Sequence, residues 1–512
     1  MIKSESYKKG VVVSTGLNVF AKGIGFFNTL IIAFYFGSNI QTDIYFFVFT
    51  VAILLTGIIN GIDYLILVPE GMKIREQESE KSSQRFFNFF IYLYAAIGLV
   101  LAAIILISPG FFYSLFSKFD RKVLEDNFNL LYIGIIIIVF QLQNSLLSTI
   151  LTSYKYFTAT IILGLINSVF AITFTFIFHN KLGIIGTMLG ISIGYILNFI
   201  LLVFTLKKFQ NWSFSNVTWM GKKEVWGNIG LMQVNILPIW IRNTIALYLL
   251  SGLGNGIITA VNLGQQVSAI PDILIIAQLI SIASIKFNEL NAAKSHEELN
   301  KIFIRVSEWG ISITMFISFS FILFSPEIIS LLYGKSSVSA ENLKNIEIVF
   351  AFSIACLSVK FIASICTNLI TAAQKVRATF FMSVITHGIV TVIIYFLIHY
   401  FGLVGYLIGI NLHFYLFFLF FYILLKKTMP YIEYNKILAI FFINLLNNSI
   451  VVALIYSAYY YKIIDIGNVY IKLGTGFFLY FLFSFIINEI ITANKYLKVK
   501  NIYQHGFKKI FY

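Results

Sequence analysis

Residues 182–208 read LGIIGTMLGISIGYILNFILLVFTLKK. Residues 182–206 carry no charge and are mostly apolar, and two lysines follow. A helix rises 1.5 Å per residue, so a run of this length crosses the roughly 30 Å of a bilayer's hydrocarbon. A lysine pair at its end belongs at a cytoplasmic face. The stretch then returns: FGLVGYLIGI (401–410) copies LGIIGTMLGI (182–191), and Lys426–Lys427 copy Lys207–Lys208 at the same offset of 219. The unit that sets the fold is therefore a membrane span, and it is duplicated.

Outward from this stretch the same reading applies to the whole chain. Apolar runs occupy 11–36, 44–68, 87–108, 129–152, 157–178, 182–206, 226–252, 256–283, 306–332, 348–373, 378–399, 402–425, 437–460 and 468–491. These are fourteen segments, each near the ~20 residues a spanning helix needs. Strands exposed singly to lipid would leave their amides unpaired, and a barrel would show alternating segments of about 10 residues. Composition agrees: of the 512 residues 59% are apolar and 12% charged, against roughly 25% charged in a soluble domain. Cys356 and Cys366 both lie in apolar runs, which leaves no disulfide framework or Cys-rich metal site.

The basic residues test the topology. With the N-terminus inside, 26 Lys and Arg fall on cytoplasmic segments, 8 on outer ones and three within helices. This places the chain in the cell membrane as a multi-pass protein with both termini cytoplasmic. The net charge of +15 then faces anionic lipid and calls for no nucleic acid.

Two weaker matches extend the repeat. SPGFFYSLFS (108–117) matches SPEIISLLYG (325–334), and FNTLIIAFYFG (27–37) matches RNTIALYLLSG (242–252), at offsets of 217 and 215. The expected fold is all-α: two six-helix bundles, 1–206 and 226–425, related by an axis along the membrane normal. Residues 207–225 form a cytoplasmic linker, and 426–512 hold helices 13–14 and a basic tail. Paired bundles of this kind usually enclose a substrate path, so a transporter is expected rather than a channel or a membrane enzyme.

An ionisable group inside a span costs about 2.5–3.5 kcal/mol on insertion scales and needs a reason. Lys22 lies mid-helix in segment 1, Arg242 in segment 7, Lys360 in segment 10. Asp43 and Asp63 stand near the two ends of segment 2, and Asp272 follows Pro271 in segment 8. Each cation could neutralise a buried carboxylate or line a cavity, and the position of Lys22 and Arg242 far from either helix end favours the cavity. Pro238 and Pro271 break the backbone ladders of segments 7 and 8 and are expected hinges. His387 and His413 read as packed core residues. No phosphate-binding loop is present, so ATP is not the direct energy source, and no metal-ligand spacing or catalytic constellation appears. The sequence calls for no cofactor and no metal.

GLNVFAKGIGFFNTLIIAFYFGSNIQTDIYFFVF (16–49) and VNLGQQVSAIPDILIIAQLISIASIKFNEL (261–290) resemble blocks of the MurJ (MviN) lipid II flippases, within the multidrug/oligosaccharidyl-lipid/polysaccharide exporter superfamily. The resemblance implies fourteen helices arranged 6 + 6 + 2, and flipping of an undecaprenyl-diphosphate-linked glycan precursor from the inner to the outer leaflet by alternating access. It places Lys22 where the family has a cavity arginine and Asp43 where it has a required aspartate. Asn28 and Gln266 stand where the family has further arginines, Thr56 falls near another basic position, and Ala269 replaces a glutamate. The expected substrate-binding set is Lys22, Asn28, Asp43, Arg242, Gln266 and Lys360. The expected partners are the lipid-linked glycan diphosphate, membrane lipids and a coupling ion. O-antigen or capsule flippases share this plan. A multidrug/cation antiporter would prefer acids to cations in its cavity, and a glycosyltransferase would need a large outer loop.

Overall fold

A computed structural model describes residues 7–217, 223–461 and 468–491. Part of the linker at 207–225 and the basic tail after residue 491 lie outside these residues. Every regular element among them is helical. In chain order these are α1 (Tyr7–Phe36), α2 (Ile40–Ile62), α3 (Val68–Gln77), α4 (Glu80–Ile107), α5 (Pro109–Ser114), α6 (Arg121–Asp126), α7 (Phe128–Ser153), α8 (Phe157–Leu182), α9 (Ile184–Gln210) and α10 (Lys223–Leu250). There follow α11 (Ile257–Pro271), α12 (Ala277–Ala292), α13 (His296–Leu323), α14 (Ser325–Tyr333), α15 (Ala340–Ala355), α16 (Leu357–Ala372), α17 (Val376–Thr428), α18 (Tyr434–Tyr460) and α19 (Val469–Ile491). Five-residue π-helical segments, Asp63–Leu67 and Asp272–Ile276, join α2 to α3 and α11 to α12. Large apolar side chains such as Leu99, Ile107 and Phe396 are exposed, as expected where lipid is the solvent.

Among the described residues eleven helices are long and apolar enough to cross a membrane, or twelve if the bent pair α15–α16 (41°) is one span. This is fewer than the fourteen apolar segments, for two physical reasons. Helix α10 is not among them, its apolar run being diluted by Gln233, Arg242 and Asn243. And α17, 53 residues long, takes in two of the expected segments.

That long element is broken at Gly402, whose φ of 55° and ψ of −130° are not helical. Gly183, its counterpart in the repeat, separates α8 from α9 with φ 56° and ψ −143°. A side chain is strained at such positive φ, which is why the duplicated motif carries glycine at both turns. The motif's other glycines let the helices after each turn lie back against the ones before. A Cβ at Gly190 would stand 2.5 Å from the Phe170 carbonyl oxygen, and one at Gly405 only 1.8 Å from that of Leu397. The two copies thus make the same reversal by the same local physics.

By packing, the chain divides into two compact units, Met1–Asn262 with Ser336–Ser339, and Leu263–Lys335 with Ala340–Tyr512. In the first, α7 packs on α2, α4 and α9, α8 joins α1 to α9, and α10 packs on α2. Phe86, Phe87, Phe90, Leu147, Ile150 and Leu206 lie in its buried core. The linker after α9 is tied down here. Asn88, fully buried, donates to the carbonyls of Ser213 (2.7 Å) and Asn216 (3.0 Å) and accepts from the Trp212 indole (2.8 Å). In the second unit α13 packs on α16 and α18, α12 and α17 pack on α16, and α18 pairs with α19. Phe324, Val451, Ile455 and Tyr480 form the core under the last two helices, and Lys472 is ion-paired with Glu327.

Candidate functional site

Within the first unit, α1, α2 and α10 carry four of the six expected binding residues. Lys22 is exposed on α1, and among the described residues it makes no hydrogen bond or ion pair. Nothing lies within 4 Å of where a Cβ would stand at Gly23 or Gly25 beside it, so this turn of α1 is open. A full ammonium charge in mid-helix without a protein acid needs water or an anionic ligand. One to two turns on, Asn28 is buried against Tyr45 of α2, and its side-chain oxygen has no hydrogen-bond partner.

Arg242 behaves differently. It is only 7% exposed, and its Nε and Nη2 donate to Asn243 Oδ1 at 3.3 and 3.1 Å. Helix α10 is held to α2 on either side of Pro238: the Gln233 amide donates to the Ile58 carbonyl (2.8 Å) and the Trp240 indole to that of Leu54 (3.0 Å). Pro238 contributes no amide to the ladder between these two attachments.

Asp43 is fully buried, and both its oxygens are engaged. The Gly256 amide donates to Oδ2 at 2.6 Å, and the Thr259 amide and hydroxyl to Oδ1 at 2.8 and 2.7 Å. These are first-turn donors of α11, which have no partner within their own helix. A carboxylate there satisfies them and meets the positive end of the helix dipole. The geometry makes Asp43 the N-cap of a helix 213 residues away in sequence. Helix α2 has its own cap in Asn39, so Asp43 is free for this task.

In the second unit Gln266 is exposed, while its neighbour Gln265 donates to the Tyr406 hydroxyl at 3.1 Å. The Lys360 ammonium lies 5.3 Å over the Phe414 ring and acts electrostatically on the Asp272 carboxylate. Pro271 ends α11 directly before the π segment, where the Ala277 amide reaches back to the Asp272 carbonyl. The proline leaves the Val267 carbonyl without its usual amide donor, and the widened turn begins directly after it. His387 and His413 are buried side by side with ring centroids 5.5 Å apart. No group of His, Cys, Asp and Glu among the described residues could hold a metal ion.

The sequence points to Asp63 but not to the two residues that complete its cluster. Asp63, fully buried at the head of the first π segment, accepts from the Tyr94 hydroxyl (2.7 Å) and the Ser145 hydroxyl (3.0 Å). The available signal was an aspartate a few residues before Pro69, in a segment with no cation nearby.

The family model for the lipid II flippase MurJ matches residues 32–483. A probable lipid II flippase MurJ from Borreliella burgdorferi is 26% identical over 194 residues, and the matched part spans 37% of this chain and 37% of that relative's length. A solved lipid II flippase MurJ in an inward closed conformation superposes with a TM-score of 0.71 at 16% identity, covering 94% of this chain and 100% of that one. An inward-facing multidrug resistance MATE family transporter of the MOP superfamily gives 0.65 at 14% identity, covering 80% and 96%. Its outward-facing counterpart gives 0.58 at 13%, covering 82% and 97%. At these identities the structures speak to the fold, and it is the family match over most of the length that decides membership. The chain is a multi-pass membrane protein that belongs to the MurJ lipid II flippase family.

Proposed function

We propose that this protein flips an undecaprenyl-diphosphate-linked glycan, a lipid II-like peptidoglycan precursor, from the cytoplasmic to the outer leaflet by alternating access. Family membership supports a transporter rather than a catalyst. The observation that carries the reading is Lys22, an exposed mid-helix cation with no partner among the described residues. The step that needs help is moving the diphosphate through hydrocarbon, because its charges lose their hydration there. An ammonium and a guanidinium can replace that hydration with charge-assisted hydrogen bonds. Lys22 is available for this as it stands. Arg242, buried beside Asn243, would be presented by bending of α10 at Pro238. The lipid tail needs no such help and can stay between helices.

In this reading the chain has fourteen spans, counting α10 and the two arms of α17, with both termini cytoplasmic. Segments 1–6 and 7–12 are related by rotation about the membrane normal, and bending at Pro238 and Pro271 accompanies the exchange of access. Asn28 adds to the polar lining beside Lys22, Gln266 and Lys360 are the polar groups the second unit brings to substrate, and Asp43 contributes by holding α11 in place. The neutral Asn28 and Gln266 favour, as a second reading, an O-antigen or capsule repeat unit as cargo. A cation antiporter is disfavoured by the prominence of Lys22 and Arg242 over acids.

The test is leaflet transfer of a fluorescent polyprenyl-diphosphate glycan in proteoliposomes. Alanine at Lys22 or Arg242 should abolish transfer with insertion intact. Lys22→Arg should retain it, and Arg242→Lys should lose part of it, because a point charge cannot replace a planar fork. Wild-type transfer rates in both alanine variants would overturn the proposal.

A further inference from the structure

Two aspartates are picked out by helix geometry. Amides in an α-helix reach back four residues, and the wider i→i+5 turn is rare and often found at functional sites. The described residues contain two such segments, DYLIL at 63–67 and DILII at 272–276, and each opens on an aspartate. Each is closed by the amide after it, Val68 to the Asp63 carbonyl and Ala277 to that of Asp272. Each adjoins a proline, Pro69 after the first and Pro271 before the second. They stand in the second and eighth apolar segments, which correspond in the sequence repeat.

What differs is the compensation of charge. Asp272 has Lys360 acting on its carboxylate. Asp63 has only two hydroxyl donors, Tyr94 from α4 and Ser145 from α7. The other elements packed on the segment are α2, α3 and α10. On α2 the nearest charge is Asp43, twenty residues away, and α7 has none. α3 carries Glu70, Lys73, Arg75 and Glu76, with Arg75 lying over the Tyr154 ring; α4 carries Glu80, Lys81 and Arg85 at its start; and α10 carries Lys223 and Glu224 at its start and Arg242, which is bonded to Asn243. None of these touches the Asp63 carboxyl, whose described contacts are Tyr94 and Ser145 alone. Two neutral hydrogen bonds do not repay the burial of a full negative charge, which in a protein interior is paired or neutralised. A hard metal cation would want about six oxygen ligands, and the carboxylate with two hydroxyls falls short of such a cage.

We infer that Asp63 is a proton-binding site of the transport cycle, taking up a proton when buried between Tyr94 and Ser145 and releasing it when the π turn slides. In the protonated state one hydrogen bond reverses: the carboxyl O–H donates to one hydroxyl while the other still donates to the carboxyl. Relaxing the turn by one residue rotates the helix on one side of it by about 100°. That rotation exchanges the buried Asp63 for a position like that of its exposed neighbour Tyr64. The proton comes from water at one surface and leaves to water, so nothing is consumed. Coupling to lipid movement rests on the flippase reading; proton binding by itself does not.

Infrared titration of the full-length protein in phosphatidylethanolamine/phosphatidylglycerol nanodiscs tests it. The wild type should show a buried carboxylic C=O band that disappears on alkalinisation. Asp63→Asn should lack it, and Tyr94→Phe should shift it, a milder variant should Asp63→Asn fail to fold. In proteoliposomes a pH gradient should change the transfer rate of the wild type and leave Asp63→Asn unresponsive. Spectra of Asp63→Asn and wild type that coincide throughout the titration, or a wild-type band removed by sodium chloride at constant pH, would overturn the assignment. A wild type that shows the band and moves no lipid would count against the flippase reading only.

Discussion

Replacing Asp43 with alanine separates capping from ligand contact. The substitution strips the acceptor from two buried amides, Gly256 and Thr259, and from the Thr259 hydroxyl. An orphaned buried donor costs about 1–3 kcal/mol. The hydroxyl recovers part of its loss, because Thr42 Oγ1 already stands 3.0 Å away. The two amides have no such neighbour, so local opening at the start of α11 should become about 3–5 kcal/mol easier. Every 1.4 kcal/mol is tenfold, which makes exchange of these amides at least about 100-fold faster. Asp43→Asn keeps one acceptor but turns an NH2 toward one donor, so its loss should be nearer 1–2 kcal/mol, the usual range for a weakened cap. Hydrogen exchange read by mass spectrometry on the peptide covering 254–262 measures both variants. Unchanged protection in Asp43→Ala together with lost transport would refute the capping argument and return Asp43 to the substrate.

The glycines of the duplicated turn should rank by what a methyl group meets. Gly190→Ala and Gly405→Ala, which drive Cβ into backbone oxygens, should each cost about 1–3 kcal/mol, whereas Gly164→Ala, with nothing within 4 Å, should be neutral or stabilising in thermal unfolding. Removing Asn88 should release the start of the linker. Asn88→Leu gives up three hydrogen bonds at about 0.5–1.5 kcal/mol each, and should shift Trp212 fluorescence to the red and open residues 211–217 to protease. Retained protection in that variant would mean that the linker is held by other contacts.

The spans and the duplicated turn were legible because both rest on local physics. Long apolar runs need helices in lipid, and Gly183 and Gly402 are glycine because positive φ demands it. The count of spans was less legible, since it depends on how α10 and the break in α17 are scored. Asp43 shows what sequence cannot convey. A buried acid reads the same whether it awaits a ligand or caps a helix, and its partners at Gly256 and Thr259 lie over two hundred residues on. The partners of Asp63 were hidden for a related reason. In a span that is apolar all round there is no periodicity for a π turn to interrupt, and Tyr94 and Ser145 come from two other helices. Lys22 could be singled out because a cation mid-span is costly wherever the fold puts it.

If a diphosphate-linked lipid is the cargo, it should travel with the purified protein. Mass spectrometry of the retained lipids should find a polyprenyl-diphosphate glycan on the wild type, lost or reduced at least about tenfold in Lys22→Ala. Only bulk phospholipid on the wild type, or equal retention of the glycan lipid by Lys22→Ala, would contradict this assignment.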